Sequence, residues 1–280
     1  MKKTLSVIVL CMMTIALFSG CDTDVVSPIS QSTLKGKLTL SGSTSVQPVA
    51  AALAEAFMGI NPGVSIDIQE GGSSVGISDA MAKKVDLGMS SRELQAEETG
   101  LNETVIAYDG IAVIVHKDVT VDNLTRQQLQ DIYSRKIKDW KEVGGKPGAI
   151  VLIGRDAASG TRGAFEEIIK LDNKNSNPKA MYAQEKDSTG AVKATVQSTK
   201  NSIGYVSLEA VDNTVHAVRI DGVAPTVQNV KSRTYLIWRP FLFLNNKDTV
   251  LSPAAKEFIK FILSADGQKI VTDLKFISVN

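Results

Sequence analysis

The stretch "AIVLIGRDAASGTRGAFEEIIK", residues 149–170, decides how the rest of the chain is read. It opens on an apolar, β-branched run of the kind that forms a buried strand. It closes on Phe165 to Lys170, a good helical run. Between them Arg155, Ser159, Gly160 and Thr161 make a turn of small polar residues and one cation. Strand, turn and helix in that order are half of a βαβ unit, and the same alternation recurs along the chain. An α/β fold with mostly parallel sheets follows.

Outward from that stretch, "KLTLSG" (37–42) is a strand and "PVAAALAEAFM" (48–58) a helix, with Val49, Leu53, Ala56 and Phe57 on one face and Pro48 in the first turn. "VSIDIQE" (64–70) alternates as a strand, and "SSVGISDAMAKK" (73–84) is helical. "VDLGMSS" (85–91) and "GIAVIVH" (110–116) are strands. "TRQQLQDIY" (125–133) is a helix in which Thr125 and Gln128 have capping-box spacing. Later, "SIGYVSLEAV" (202–211) and "YLIWRPFLFLN" (235–245) read as strands. "SPAAKEFIKFIL" (252–263) is a helix capped by Ser252 with Pro253 at its first position.

Three strand-to-helix turns share one chemistry: "SGSTSVQP" (41–48), "EGGSSVGI" (70–77) and the Ser159-Gly160-Thr161 turn beside Arg155. Helix N-termini present unpaired N–H groups and partial positive charge. Glycine allows close approach to the backbone, and Ser and Thr add hydroxyl donors. Together these residues suit a small enclosed oxyanion, with Arg155 supplying a forked, charged contact.

The chain has 280 residues, 43% hydrophobic and 22% charged, with a formal charge of +1. This near balance excludes nucleic-acid binding by bulk electrostatics. Lys2 and Lys3 precede "LSVIVLCMMTIALF" and then "SGC", the pattern of a secretory signal over residues 1–20, too short for a membrane span. Residues 21–35 are polar and read as a flexible tether. The only cysteines are Cys11, in the signal, and Cys21, so no disulfide or thiolate metal site is expected. His116 and His216 lack neighbours at metal-ligand spacing. No metal and no cofactor is expected. Trp140 and Trp238 read as packing residues.

Two resemblances follow. "LFSGC" resembles a bacterial lipobox, which implies cleavage before Cys21 and diacylation of its sulfur. "SGSTSV", "GGSSVGI", "VDLGMSS", "DIYSRKIKDW", "GRDAASGTR" and "SIGYVSLEAV" occur in the order found in phosphate-binding proteins of the PstS type, the substrate-binding subunits of ABC phosphate importers. The likeness spans roughly residues 36 to 280. It implies a two-lobed, periplasmic-binding-protein-like α/β fold with the ligand in the interlobe cleft. One lobe would take residues 36–112 plus 238–280 and the other 113–237. Carried over motif by motif, Thr44 and Ser45, then Ser73, then Arg155, Ser159, Gly160 and Thr161 would contact phosphate, with Ser43 and Ser74 adjacent. The expected partners are inorganic phosphate, the permease subunits of an importer, and the membrane through Cys21. The expected state is a monomer held outside the cytoplasm.

One departure matters. Many relatives carry an aspartate where this chain has Ser91, followed by Arg92. That aspartate accepts a hydrogen bond from protonated phosphate and rejects sulfate. Ser91 can donate or accept, so another acceptor is expected: Asp109, at the start of the first presumed crossover strand, or more weakly Glu70. Arg92 would bind ligand or pair with a carboxylate, and Arg162 would bind ligand or sit in solvent. Binding of sulfate, molybdate or tungstate is the alternative. A phosphoester hydrolase with Ser159 as nucleophile is a third reading, but no Gly-x-Ser-x-Gly elbow surrounds Ser159 and no base is evident.

Overall fold

The structure, a computed structural model, describes residues 33–171 and 178–280. The leader, Cys21 and residues 22–32 of the tether lie outside the described residues. In chain order the elements are β1 (Lys35–Gly42), α1 (Gln47–Ile60), β2 (Gly63–Glu70), α2 (Ser73–Met81), β3 (Leu87–Ser90), β4 (Leu101–Val115), β5 (Asn123–Leu124), α3 (Arg126–Tyr133), β6 (Val151–Arg155) and α4 (Gly160–Ile168). They continue with β7 (Gln184–Lys186), α5 (Thr189–Ser198), β8 (Ser202–Ser207), β9 (His216–Ala217), β10 (Arg219–Ile220), α6 (Val227–Lys231), β11 (Trp238–Asn246), α7 (Pro253–Leu263) and α8 (Ala265–Asp273).

Local signals act as the residues dictate. Thr125 and Gln128 close a reciprocal capping box on α3. Ser252 accepts from the Ala255 amide at the head of α7, with Pro253 behind it. Pro48 sits in the first turn of α1, where its missing N–H costs nothing.

Among the described residues, nine strands form one curled sheet in the order β2-β1-β3-β11-β4-β8-β6-β7, with β9 also on β4, and β5 and β10 pair in parallel as a separate two-stranded sheet. β2, β1 and β3 are mutually parallel, as are β7, β6 and β8. Within this sheet the antiparallel pairs are those of β4 and β11, which pair with each other and carry β8, β9 and β3. The fold is α/β and periplasmic-binding-protein-like, as expected. The register aligns Gly42 with Glu70 and Met89, and Arg155 with Lys186. The C-terminal ends of the parallel strands therefore come level, and α1, α2, α4 and α5 all start there, the usual place for a ligand in α/β sheets.

Two large apolar cores flank this sheet. One joins Leu38, Leu53, Phe57 and Met89 to Phe241, Phe258 and Phe276. The other joins Val113, Tyr133, Trp140, Phe165, Tyr205 and Val230. Trp140 is buried, as its packing role requires, and its indole N–H donates to the Asn201 carbonyl at 3.0 Å.

Sequence reading misses some elements. β4 begins at Leu101, because the polar residues Asn102 and Glu103 hide its first half on an exposed flank. Asp109 consequently lies inside β4, not at its start. α5 and α8 were not anticipated. β7, only three residues long, is too short to announce the helix behind it.

Candidate functional site

The expected turns converge. The Ser43 hydroxyl donates to Ser91 Oγ at 2.9 Å, Ser73 Oγ lies 3.2 Å from the same atom, and the Ser91 amide donates to Ser73 Oγ at 3.0 Å. Ser91 thus ties the first turn to the second. The third turn closes on both. Ser45 Oγ is 2.9 Å from Thr161 Oγ1, 116 residues away, and the Ser74 amide donates to the Ala158 carbonyl at 3.0 Å.

Glycine makes this approach fit. A Cβ on Gly160 would stand 2.1 Å from Ser73 Oγ and 2.8 Å from Ser91 Oγ. Gly72, at φ +90°, would drive a Cβ to within 2.6 Å of the Ala158 carbonyl oxygen. Both positions need the absence of a side chain.

A fourth turn joins them. Thr189, first residue of α5, is buried; its Oγ1 lies 2.8 Å from Ser45 Oγ and accepts from Arg155 Nη1 at 3.4 Å. Sequence reading missed it. The signal was the run Ser188-Thr189-Gly190, the same Ser/Thr/Gly helix start as the other three, masked by the shortness of β7.

Arg155 is buried and held from behind. Its Nε donates to the Lys186 carbonyl at 3.1 Å and its Nη2 to the Asp187 carbonyl at 2.8 Å. It makes no ion pair among the described residues. Burial pushes the guanidinium below its usual pKa range, against the nearby charges of Asp156, Tyr205, Asp187 and Glu70. Ser159 caps α4, its Oγ accepting from the Arg162 amide, which leaves the first-turn amides of Gly160 and Thr161 without intrahelical carbonyls. Thr44 Oγ1 is buried with no hydrogen-bond partner.

The remaining candidates are sorted by their partners. Arg92 forms a two-pronged pair with Glu98, 2.7 Å on each arm, and reaches Ser74 Oγ only at 3.4 Å. Burial raises the Glu98 carboxyl, but the Arg92 hydrogen bond, the Gln95 amide and the Arg92 charge together hold it below its ordinary value. Arg162 is neither a solvated cation nor a free one. It pairs with Glu166 and Glu185 and donates to the Arg155 carbonyl. Behind it the Tyr182 hydroxyl donates to Glu166 and meets the Tyr205 hydroxyl, which accepts from the Arg155 amide at 3.3 Å. This buried chain fixes the third turn. Glu70 is exposed at the end of β2.

Asp109 departs from the expectation of a free acceptor beside the ligand. Its Oδ1 accepts from Ser207 at 2.9 Å, and its Oδ2 accepts from Arg239 Nη2 at 2.9 Å and Nε at 3.2 Å. Burial pushes its carboxyl up to about 6, against the Arg239 charge and these hydrogen bonds. Arg239, its cross-strand partner on β11, was not singled out in the sequence, because "WRPFLFL" reads as an apolar strand around one cation.

The arrangement gathers neutral hydroxyls, helix-start amides and Arg155 at one edge of the sheet. It suits a small tetrahedral anion. A cavity of about 620 Å³, lined by Ser74, Arg92, Ser159, Arg162 and residues 93–98, opens beside it. Among the described residues, no group of three or more His, Cys, Asp or Glu is placed to hold a metal ion.

Comparison with known proteins bears on this geometry. Residues 27–266 match the model of the PBP superfamily domain. The phosphate-binding protein PstS of Bacillus subtilis is 36% identical over 251 residues, 87% of this chain and 81% of the relative. A Clostridium perfringens structure described as a phosphate ABC transporter substrate-binding protein with bound phosphate is 44% identical. It aligns with a TM-score of 0.82 over 88% of this chain and all of that one. An ABC-type phosphate transport receptor from Vibrio cholerae is 35% identical, with a TM-score of 0.73 over 86% of this chain and 99% of its own.

Proposed function

The chain belongs to the PstS-type phosphate-binding proteins of the PBP superfamily, and from that premise we propose that it binds inorganic phosphate among its converging turns and delivers it to an ABC importer. The observation that carries this reading is the pair of hydrogen bonds that the Ser45 hydroxyl shares with those of Thr161 and Thr189, which joins helix starts more than a hundred residues apart. Ser43, Thr44, Ser45, Ser73, Ser74, Ser91, Arg155, Ser159, Gly160 and Thr161 are the proposed contacts, with Thr189 added. The unpartnered Thr44 hydroxyl supports its place among them.

Residues 36–112 with 238–280 form one proposed lobe and 113–237 the other; one apolar core lies within the first, and the other draws mostly on the second but also takes in Ile111 and Ile277. β4 and β11 connect them, and phosphate binding closes the cleft between them. The protein works as a monomer outside the cytoplasm. It is anchored by lipid on Cys21, with permease subunits as its partners. It is a binding protein and not an enzyme. Ser159 caps a helix with its hydroxyl, and the polar neighbours of the two histidines are Asp118 for His116 and Asp122 for His216.

Calorimetric titration of the mature domain with phosphate, sulfate and molybdate tests the reading. One equivalent of phosphate should bind, and the protein should release no product from a phosphate ester. Absence of phosphate binding, or turnover abolished by Ser159→Ala, would overturn it.

A further inference from the structure

We propose that Arg239 is a second guanidinium of the anion site. Its Nη1 contacts the bound oxyanion, and Asp109 serves as its counter-ion and not as an acceptor for the ligand. This inference rests on the reading of the turns as a phosphate site and adds to them a residue from a crossover strand.

The first support is an unmet donor. Arg239 is 1% exposed. Nε and Nη2 both donate to Asp109, while Nη1 is buried with no partner. An arginine hides in a protein interior only when its hydrogen-bonding capacity is met, and a charged donor left unmet is costly. Asp109 aligns the guanidinium side-on, with Ser207 bracing the carboxylate from β8. That bracing fixes where Nη1 points.

The second support is place. Arg239 faces Asp109 across the β11–β4 ladder, three residues before Leu242, the partner of Ser90 at the end of β3. Two residues past Asp109, β4 leaves β11 and pairs Ile111 with Ser207 of β8. Arg239 thus sits where the sheet passes from the strands carrying the first and second turns to those carrying the third. It feels the positive charge of Arg155. It also lines a cavity of about 300 Å³ with Arg92, Glu93, Ala164 and Glu167.

The third support is charge. Arg92 is balanced by Glu98, and Arg162 by Glu166 and Glu185. Arg239 is paired with Asp109, whereas Arg155 has no side-chain ion pair among the described residues, although Asp156, Asp187 and Glu70 lie near enough to act on its charge. Ser91 offers a hydroxyl, within hydrogen-bond distance of the Ser43 and Ser73 hydroxyls. A site so composed holds a tetrahedral oxyanion by hydroxyl, amide and guanidinium donors, and with both Asp109 oxygens engaged by Ser207 and Arg239 it offers no free carboxylate there to demand a ligand proton.

The test is calorimetric titration of the wild type and three variants with phosphate and with sulfate, each variant first shown by circular dichroism to be folded. Asp109→Asn/Arg239→Met removes both charges at once, so neither is left unpaired. It should bind phosphate at least tenfold more weakly than the wild type. Arg239→Lys keeps the charge but loses the fork, and should lose threefold or more. Asp109→Asn should weaken phosphate and sulfate by the same factor. Wild-type affinity in the double variant, or in Arg239→Lys should the double variant not fold, would overturn the role of Arg239. A gain of sulfate relative to phosphate in Asp109→Asn would return Asp109 to the ligand. A wild type that binds no phosphate would instead sink the phosphate reading itself.

Discussion

Arg155 illustrates how a residue's partners set its worth. Three of its donors are occupied by the Lys186 and Asp187 carbonyls and by Thr189, which leaves a rigid fork with N–H groups to spare. Its truncation should cost about 1.5–3 kcal/mol of binding free energy, the range for hydrogen bonds to charged groups, against about 0.5–1.5 kcal/mol for any one hydroxyl. Titration of Arg155→Ala and Thr161→Val against phosphate checks this ordering. Asp109 supports a second prediction. Its folded carboxyl titrates near 6, above the ordinary value near 3.9. The folded protein therefore holds that proton better than the unfolded chain does. This contribution to stability is full below pH about 4 and is lost as pH rises through about 6. Denaturant unfolding across that window should show wild-type stability falling relative to Asp109→Asn; parallel curves would contradict it. The residues legible in the sequence were those with a local signature: Ser, Gly and Thr at helix starts, and Arg155 at a strand end. Arg239 was illegible because Asp109, the carboxylate that orients it, lies across the ladder 130 residues away.

Among the elements, the short helix starts do the positioning, and their caps and glycines are separable. The Ser252 cap on α7 lies outside the proposed contacts, so Ser252→Ala should cost about 1 kcal/mol of unfolding free energy with little change in phosphate affinity. Gly160→Ala should do the reverse. The added methyl meets Ser73 and Ser91, which belong to the opposing turns, and overpacking of this kind costs about 1–3 kcal/mol. That strain falls on the closed arrangement, so affinity should drop tenfold or more, about 1.4 kcal/mol per decade, while denaturation of the unbound protein shifts less. Equal losses in both measurements would place the clash inside one lobe. Element type was readable wherever a periodic run was long, as in α1 and α7. It failed at β7 and α5, where three residues of strand gave no period to detect, and at the polar first half of β4.

At the scale of the molecule, what the sequence conveyed was an order of motifs, and what it withheld was their meeting. Alternating strands and helices predicted level strand ends, but only the pairing of β4 and β11 brings Ser45 to both Thr161 and Thr189. A ligand gripped from both sides of that divide binds the native closed form and has no counterpart in the unfolded chain. Phosphate should therefore raise the unfolding midpoint in proportion to the logarithm of its concentration, adding about 2.7 kcal/mol at one hundred times its dissociation constant. The turns differ in which side they grip. Removing Thr161 and Thr189 together, as Thr161→Val/Thr189→Val, takes hydroxyls from one side only and leaves the Ser43–Ser91–Ser73 chain intact. Thermal melts with graded phosphate should then keep the unbound midpoint near that of the wild type but show a shallower rise, with the curve displaced to higher phosphate. A wild-type rise in that variant would mean that one side alone holds the anion, and that closure contributes nothing to its capture.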